Sequence, residues 1–242
     1  ANAGQYTATL ACDNSVTVGG TGDFVVPATA TNCTVTNTRQ TATLQLAKAW
    51  SGTSPATDSA TIGVTTGGLN NTTSFTTAGG TSANSGTAVT VAVGNTITFP
   101  AETGTNIGNY TTVLSCLAGG GATANALSGT NGQVSNTLVI GAGDSGKAIV
   151  CTYTNTRKTT TITLKKAWST AAVNDTASVI LKRGAATVDT LASTANTTTE
   201  TDTDVTPFTA NVGETLNLSE TLGGANAGQY TATLACDNSV TV

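Results

Sequence analysis

TATLQLAKAW, residues 41–50, is the stretch on which the fold turns. Alternate residues of a β-strand share a face, so Leu44, Leu46, Lys48 and Trp50 fall in one row and Thr43, Gln45, Ala47 and Ala49 in the other. β-Branched Thr suits a pleated, half-exposed surface. The run therefore reads as a strand with an apolar row turned inward and a lysine set inside that row. TTITLKKAW at 160–168 repeats the pattern with Ile162, Leu164, Lys166 and Trp168. Lys165 has the opposite parity and is expected to face solvent, which marks Lys166 as the counterpart of Lys48.

Working outward, other blocks follow in the same order. GNTITFPAETGTNIGNYTTVLSC at 94–116 aligns with GETLNLSETLGGANAGQYTATLAC at 213–236, and AIVCTYTNTR at 148–157 with NCTVTNTR at 32–39. The string ANAGQYTATLACDNSVTV stands at 1–18 and again at 225–242, a period of 224 residues. The natural polypeptide is accordingly expected to be longer than this segment and to alternate two module types. Residues 1–39 read as the C-terminal part of a B-type module, 40–157 as a complete A-type module, and 158–242 as the N-terminal part of the next B-type module. Modules of about 110 residues have the size of an independent β-sandwich, with Gly, Asn and Ser clusters as turns. The fold class expected is thus all-β, a linear array of sandwich modules. Joints as short as Gln40 and residues 158–160 predict stiff stacking. Gly-rich 118–132 and Thr-rich 192–204 read as long surface loops. The strand that 158–242 lacks is expected from a covalently following repeat rather than from residues 19–39 of another molecule.

Composition removes several function classes. Charged residues make up 9% of the chain, against about 25% in ordinary domains, and there is no His and no Met. A Ser or Cys nucleophile would lack its commonest base, so an enzyme is not expected, nor is a cofactor. A net charge of −4 with no basic cluster gives no footprint for nucleic acid or an anionic membrane surface. No apolar run approaches the length of a membrane span. Asp202 and Asp204 in TDTDVT read as a solvated strand edge, with calcium the alternative.

The five cysteines follow the repeat. Cys12 is expected to pair with Cys33 and Cys116 with Cys151, while Cys236, the copy of Cys12, finds its partner outside this segment. Parity puts Leu114 and Cys116 on one face of a strand with Tyr110 and Thr112, and Cys151 beside Ile149, Tyr153 and Asn155. Disulfides imply an extracytoplasmic location; two buried free thiols per module are the alternative.

Two carboxylates complete the inward polar set. Leu216, Leu218 and Glu220 share a face, and Glu102 is reached after one extra residue at Pro100, read as a bulge. Lys48 to Glu102 and Lys166 to Glu220 are both 54 residues apart, and Glu102 is the one Glu between 40 and 157. Asn155 lies on the face of Cys151, and Asn37 on that of Cys33. Burial disfavours both charged forms of a Lys and Glu pair. A neutral amine beside an amide carbonyl polarised by a carboxylic acid can form a Lys–Asn isopeptide bond with loss of ammonia. A buried ion pair with Asn meeting leftover hydrogen bonds is the alternative.

LAKAW and LKKAW, the Glu-Thr ahead of a Gly-x-Tyr strand (ETGTNIGNY, ETLGGANAGQY), and the closing TNTR together resemble tandem Cna B-type, or SpaA-type, domains of bacterial surface adhesins and pilins. The resemblance implies a prealbumin-like β-sandwich and an autocatalytic triad at Lys48, Glu102 and Asn155, with Lys166 and Glu220 lacking an asparagine in this segment and Asn37 serving a lysine ahead of Ala1. The Ala-Pro usual after the Glu-Thr is absent, and paired cysteines are unusual in such domains. The role implied is the stalk or shaft of an extracellular adhesin or filament, its partners being neighbouring repeats. The alternative is an adhesin module that binds glycan or host protein through loops such as 65–88.

Overall fold

The computed structural model describes residues 3–52, 54–66, 69–76, 83–118 and 137–237. By internal contacts the chain divides into Ala1–Arg157 and Lys158–Val242. Both are built from strands, the first unit with short 3₁₀ turns as well, and there is no α-helix among the described residues.

In the first unit β1 (Tyr6–Cys12) and β2 (Cys33–Arg39) form a two-stranded antiparallel sheet of their own, in register from Tyr6 opposite Arg39 to Cys12 opposite Cys33. Then come β3 (Thr41–Ser51), β4 (Ser59–Thr66), β5 (Leu69–Thr76), β6 (Ala83–Ser85), β7 (Val89–Ala92), β8 (Thr96–Thr98), β9 (Tyr110–Ala118), β10 (Thr137–Val139) and β11 (Ala148–Arg157). One sheet runs β10-β8-β4-β5; the other runs β6-β3-β11-β9, with β7 also on β3. The central strand β11 is parallel to β3 and antiparallel to β9.

The alternation read from TATLQLAKAW is met: Leu44, Leu46, Lys48 and Trp50 are all buried. The two leucines join Ile62, Val64, Ile97, Leu138 and Ile149 around Cys116 and Cys151, which are disulfide-bonded to each other. Cys12 and Cys33 are also bonded, but this pair lies in the exposed two-stranded sheet. Cys236 is free and exposed.

The second unit contains β12 (Thr159–Ile162), β13 (Lys165–Ser169), β14 (Thr176–Arg183), β15 (Ala186–Thr194), β16 (Thr199–Thr203), β17 (Phe208–Asn211) and β18 (Asn217–Leu222). One sheet runs β15-β14-β18; β12 pairs with β17 and β13 with β16. Its packing is thinner: Leu164, Val179 and Leu181 are buried, ringed by the half-buried Ile162, Phe208, Leu216 and Leu218.

Three expectations need correction. The Thr-rich stretch 192–204 is not a loop; it is the end of β15 and all of β16, because β-branched Thr fits the pleat and β16 has β13 to pair with. Within 65–88, β5 and β6 occupy much of the supposed binding loop, while 67–68 and 77–82, like nearly all of the Gly-rich 118–132, lie outside the described residues. No bulge carries Glu102. Proline has no N–H for the ladder; β8 stops at Thr98, and past Pro100 the chain meets β4 at an isolated bridge, Thr103 to Thr61, and through hydrogen bonds between Thr105 and Ser59.

Candidate functional site

β3 and β11 lie side by side, Lys48 opposite Tyr153 and Trp50 opposite Asn155, so the inward rows of the two strands bring a lysine and an asparagine into one buried patch. Lys48 and Asn155 are both 0% exposed. Lys48 Nζ is 2.9 Å from Glu102 Oε1, lies 4.5 Å from the Trp50 ring centroid, and donates to the Tyr153 carbonyl at 3.4 Å. Burial pulls the Lys48 ammonium below its ordinary pKa, and its contact with Glu102 opposes that shift.

Thr112 closes the group. Its Oγ1 lies 2.8 Å from both Glu102 Oε2 and Asn155 Oδ1. The Asn155 Nδ2 is buried and has no hydrogen-bond partner among the described residues, a state that costs about 1–3 kcal/mol in a folded protein. The structure thus brings Lys48, Glu102 and Asn155 together in the first unit. Strand parity puts Thr112 on this face but assigns it no role.

In the second unit Lys166 Nζ is 2.7 Å from Glu220 Oε1 and 4.3 Å from the Trp168 ring centroid. Both side chains retain some exposure, 15% and 18%, and no asparagine on a neighbouring strand joins them among the described residues. Asn37 is exposed on β2, opposite Ala8. Asp202 accepts from Ser193 Oγ at 2.6 Å, and Ser193 Oγ accepts from Trp168 Nε1 at 2.7 Å. Asp202 therefore belongs to an inward polar chain rather than a solvated edge. Asp204 accepts from the Thr206 N–H and hydroxyl.

A second polar pair escapes the sequence reading. Asp58, buried, accepts from the Tyr110 hydroxyl and from Asn106 Nδ2, while Tyr110 packs edge-on against Trp50. In the other unit Asp175 accepts from the Tyr230 hydroxyl and the N–H groups of Ala227 and Gly228, and Tyr230 packs edge-on against Trp168. The signal is present in the sequence: an Asp soon after each first-strand Trp and a Tyr in each Gly-x-Tyr. Each pair anchors the start of the segment that follows the inward glutamate.

A two-sheet sandwich whose first and last strands lie parallel, with Lys, Glu and Asn enclosed between the sheets, defines the class as prealbumin-like β-sandwich. Two stretches, residues 43–157 and 161–242, match the model of the SpaA_3 prealbumin-like fold domain. The chain belongs to this family. No curated protein and no solved structure matches it.

Proposed function

We propose that this chain is part of the repeated shaft of an extracellular bacterial adhesin or filament, and that its complete module is locked by an amide bond between Lys48 and Asn155. The observation that carries the reading is the buried Asn155 carboxamide, its nitrogen without a partner among the described residues, in one hydrogen-bonded group with the Lys48–Glu102 pair. A proton passed from the lysine ammonium to Glu102 across their contact leaves an amine. Its nitrogen attacks Asn155 Cγ while Thr112, itself held by Glu102, supports the charge developing on Oδ1. The attacking nitrogen gives up a second proton; of the two lysine protons one is carried by the departing nitrogen as ammonia leaves and the other stays on Glu102. No cofactor enters the balance.

The structural role follows from what the fold invests in. A first strand parallel and adjacent to the last means that one Lys–Asn bond would join the two strands that carry tension through the module, and the Cys116–Cys151 disulfide ties the last strand to β9. Intact mass of the denatured, reduced chain decides: a deficit of one ammonia is expected, mapped to a branched peptide joining the segments of Lys48 and Asn155. A mass equal to the sequence overturns the bond.

A further inference from the structure

β9 and β11 are neighbours in one antiparallel ladder, and its register carries two pairings: Cys151 stands opposite Cys116 and, further along, Asn155 opposite Thr112. The first pair is disulfide-bonded. At the second, Thr112 Oγ1 lies 2.8 Å from Asn155 Oδ1 and from Glu102 Oε2. The bridge and the group around the Asn155 carboxamide thus depend on the same register.

Neither a turn nor the alternation of side chains fixes that register. β9 ends at Ala118 and β11 begins at Ala148, so no tight hairpin joins them. A slip of two residues keeps every side chain on its own face. Such a slip sets Asn155 opposite Leu114, which has no hydroxyl, or opposite Tyr110, whose hydroxyl is committed to Asp58. The cysteines do not tolerate it. Two residues are about 7 Å along a strand, which takes the paired Cα atoms beyond the span of an S–S bond. The disulfide therefore closes with Thr112 opposite Asn155.

We propose that the Cys116–Cys151 disulfide is a redox gate on the Lys48–Asn155 amide: with the bridge closed, Thr112 is held on the Asn155 carbonyl and the amide forms; with two thiols, it forms slowly. The inference rests on the amide-bond reading above and adds its regulation. Thr112 is a positioning residue, and the bridge positions it. The oxidant is a disulfide donor. One cysteine thiolate attacks it, the other displaces the mixed disulfide, and the donor leaves as two thiols carrying the two electrons and two protons. Cys116 and Cys151 are both 0% exposed, so the bridge forms before or as the sheets close, ahead of the amide. The lock then waits for an oxidising compartment. In a reducing one, the chain is not yet tied between β3 and β11.

The test follows ammonia loss by intact mass in the 242-residue chain, made by cell-free synthesis under reductant, with half of it then given oxidised glutathione. The oxidised half is expected to react about a hundredfold faster, the scale on which misplacing a positioned group by about 1 Å slows a reaction. Cys116→Ala combined with Cys151→Ala, which keeps the Cys12–Cys33 bond, should stay at the reduced rate under oxidant. If either the reduced chain or this double variant reacts at the oxidised rate, the gate is overturned and the amide stands. Absence of ammonia loss from every chain overturns both. A bridge that merely stabilised the module would slow any variant on reduction. Thr112→Val is instead expected to react at the reduced wild-type rate in either redox state, because the hydroxyl through which the bridge acts is gone. A Thr112→Val chain that reduction slows further, or that matches the oxidised wild type, overturns the proposal.

Discussion

Lys48 is an expensive residue to bury unless its partner is held in place, and Glu102 is that partner at 2.9 Å. Replacing it with glutamine removes the proton acceptor while keeping shape. Glu102→Gln is expected to abolish the ammonia deficit in intact mass and to lower stability by about 3–5 kcal/mol, because the unlinked Lys48 is then a buried cation without a counter-charge; denaturant titration measures the second effect. The Asp–Tyr pairs differ in how much they depend on the hydroxyl. Asp58 receives Tyr110 and Asn106 side chains, whereas Asp175 also holds two backbone N–H groups. Tyr110→Phe should therefore cost about 1–3 kcal/mol, and Tyr230→Phe less. Burial raises the hydroxyl pKa of Tyr110 and of Tyr153 above the ordinary value near 10. The unfolded chain then ionises first as pH rises, binding fewer protons than the folded one, so stability is expected to fall above about pH 10. Alkaline denaturation of the wild type against Tyr110→Phe checks this, and a flat profile in both contradicts it.

At the scale of the element, YTATLAC shows how little of a strand is local. Its alternation and its threonines permit a strand in both copies, but only the copy beside β2 has one. Amide hydrogen exchange in dilute, monomeric chain should protect Tyr6–Cys12 more than 230–236, and equal protection would mean that sequence alone sets the structure. The first-strand reading, by contrast, is legible to the residue: Leu44, Leu46, Lys48 and Trp50 are buried, and Lys165 is exposed. Legibility fails at Glu102 and along 192–204. Counting by two assumes an unbroken strand, which Pro100 ends; and polar, Thr-rich composition looks like loop until a partner strand such as β13 is known.

The two units of the whole molecule are unequal in what holds them. The first has the larger apolar core and the buried Cys116–Cys151 bridge; the second has a small, half-open core, and its described cysteine is free. Calorimetry of monomeric chain should show two transitions, the first unit melting at the higher temperature. Reductant should lower that transition by about 3–4 kcal/mol, the chain-entropy value for a loop of this length, and leave the lower one in place. A single unchanged transition would contradict both the division and the role of the bridge. What the sequence by itself determined is whatever depends on periodicity and repetition: the all-β class, the inward rows, the pairing of the cysteines by repeat position, and the inward aim of Lys48 and Asn155. Tertiary structure alone decided that Thr112 joins Glu102 to Asn155, that Asp58 and Asp175 receive the tyrosines, and that one copy of YTATLAC is a strand while the other is not. The physical reason is that side-chain parity is set within a strand, whereas hydrogen-bond partners are contributed by segments tens of residues away, and a strand exists only where its neighbour does.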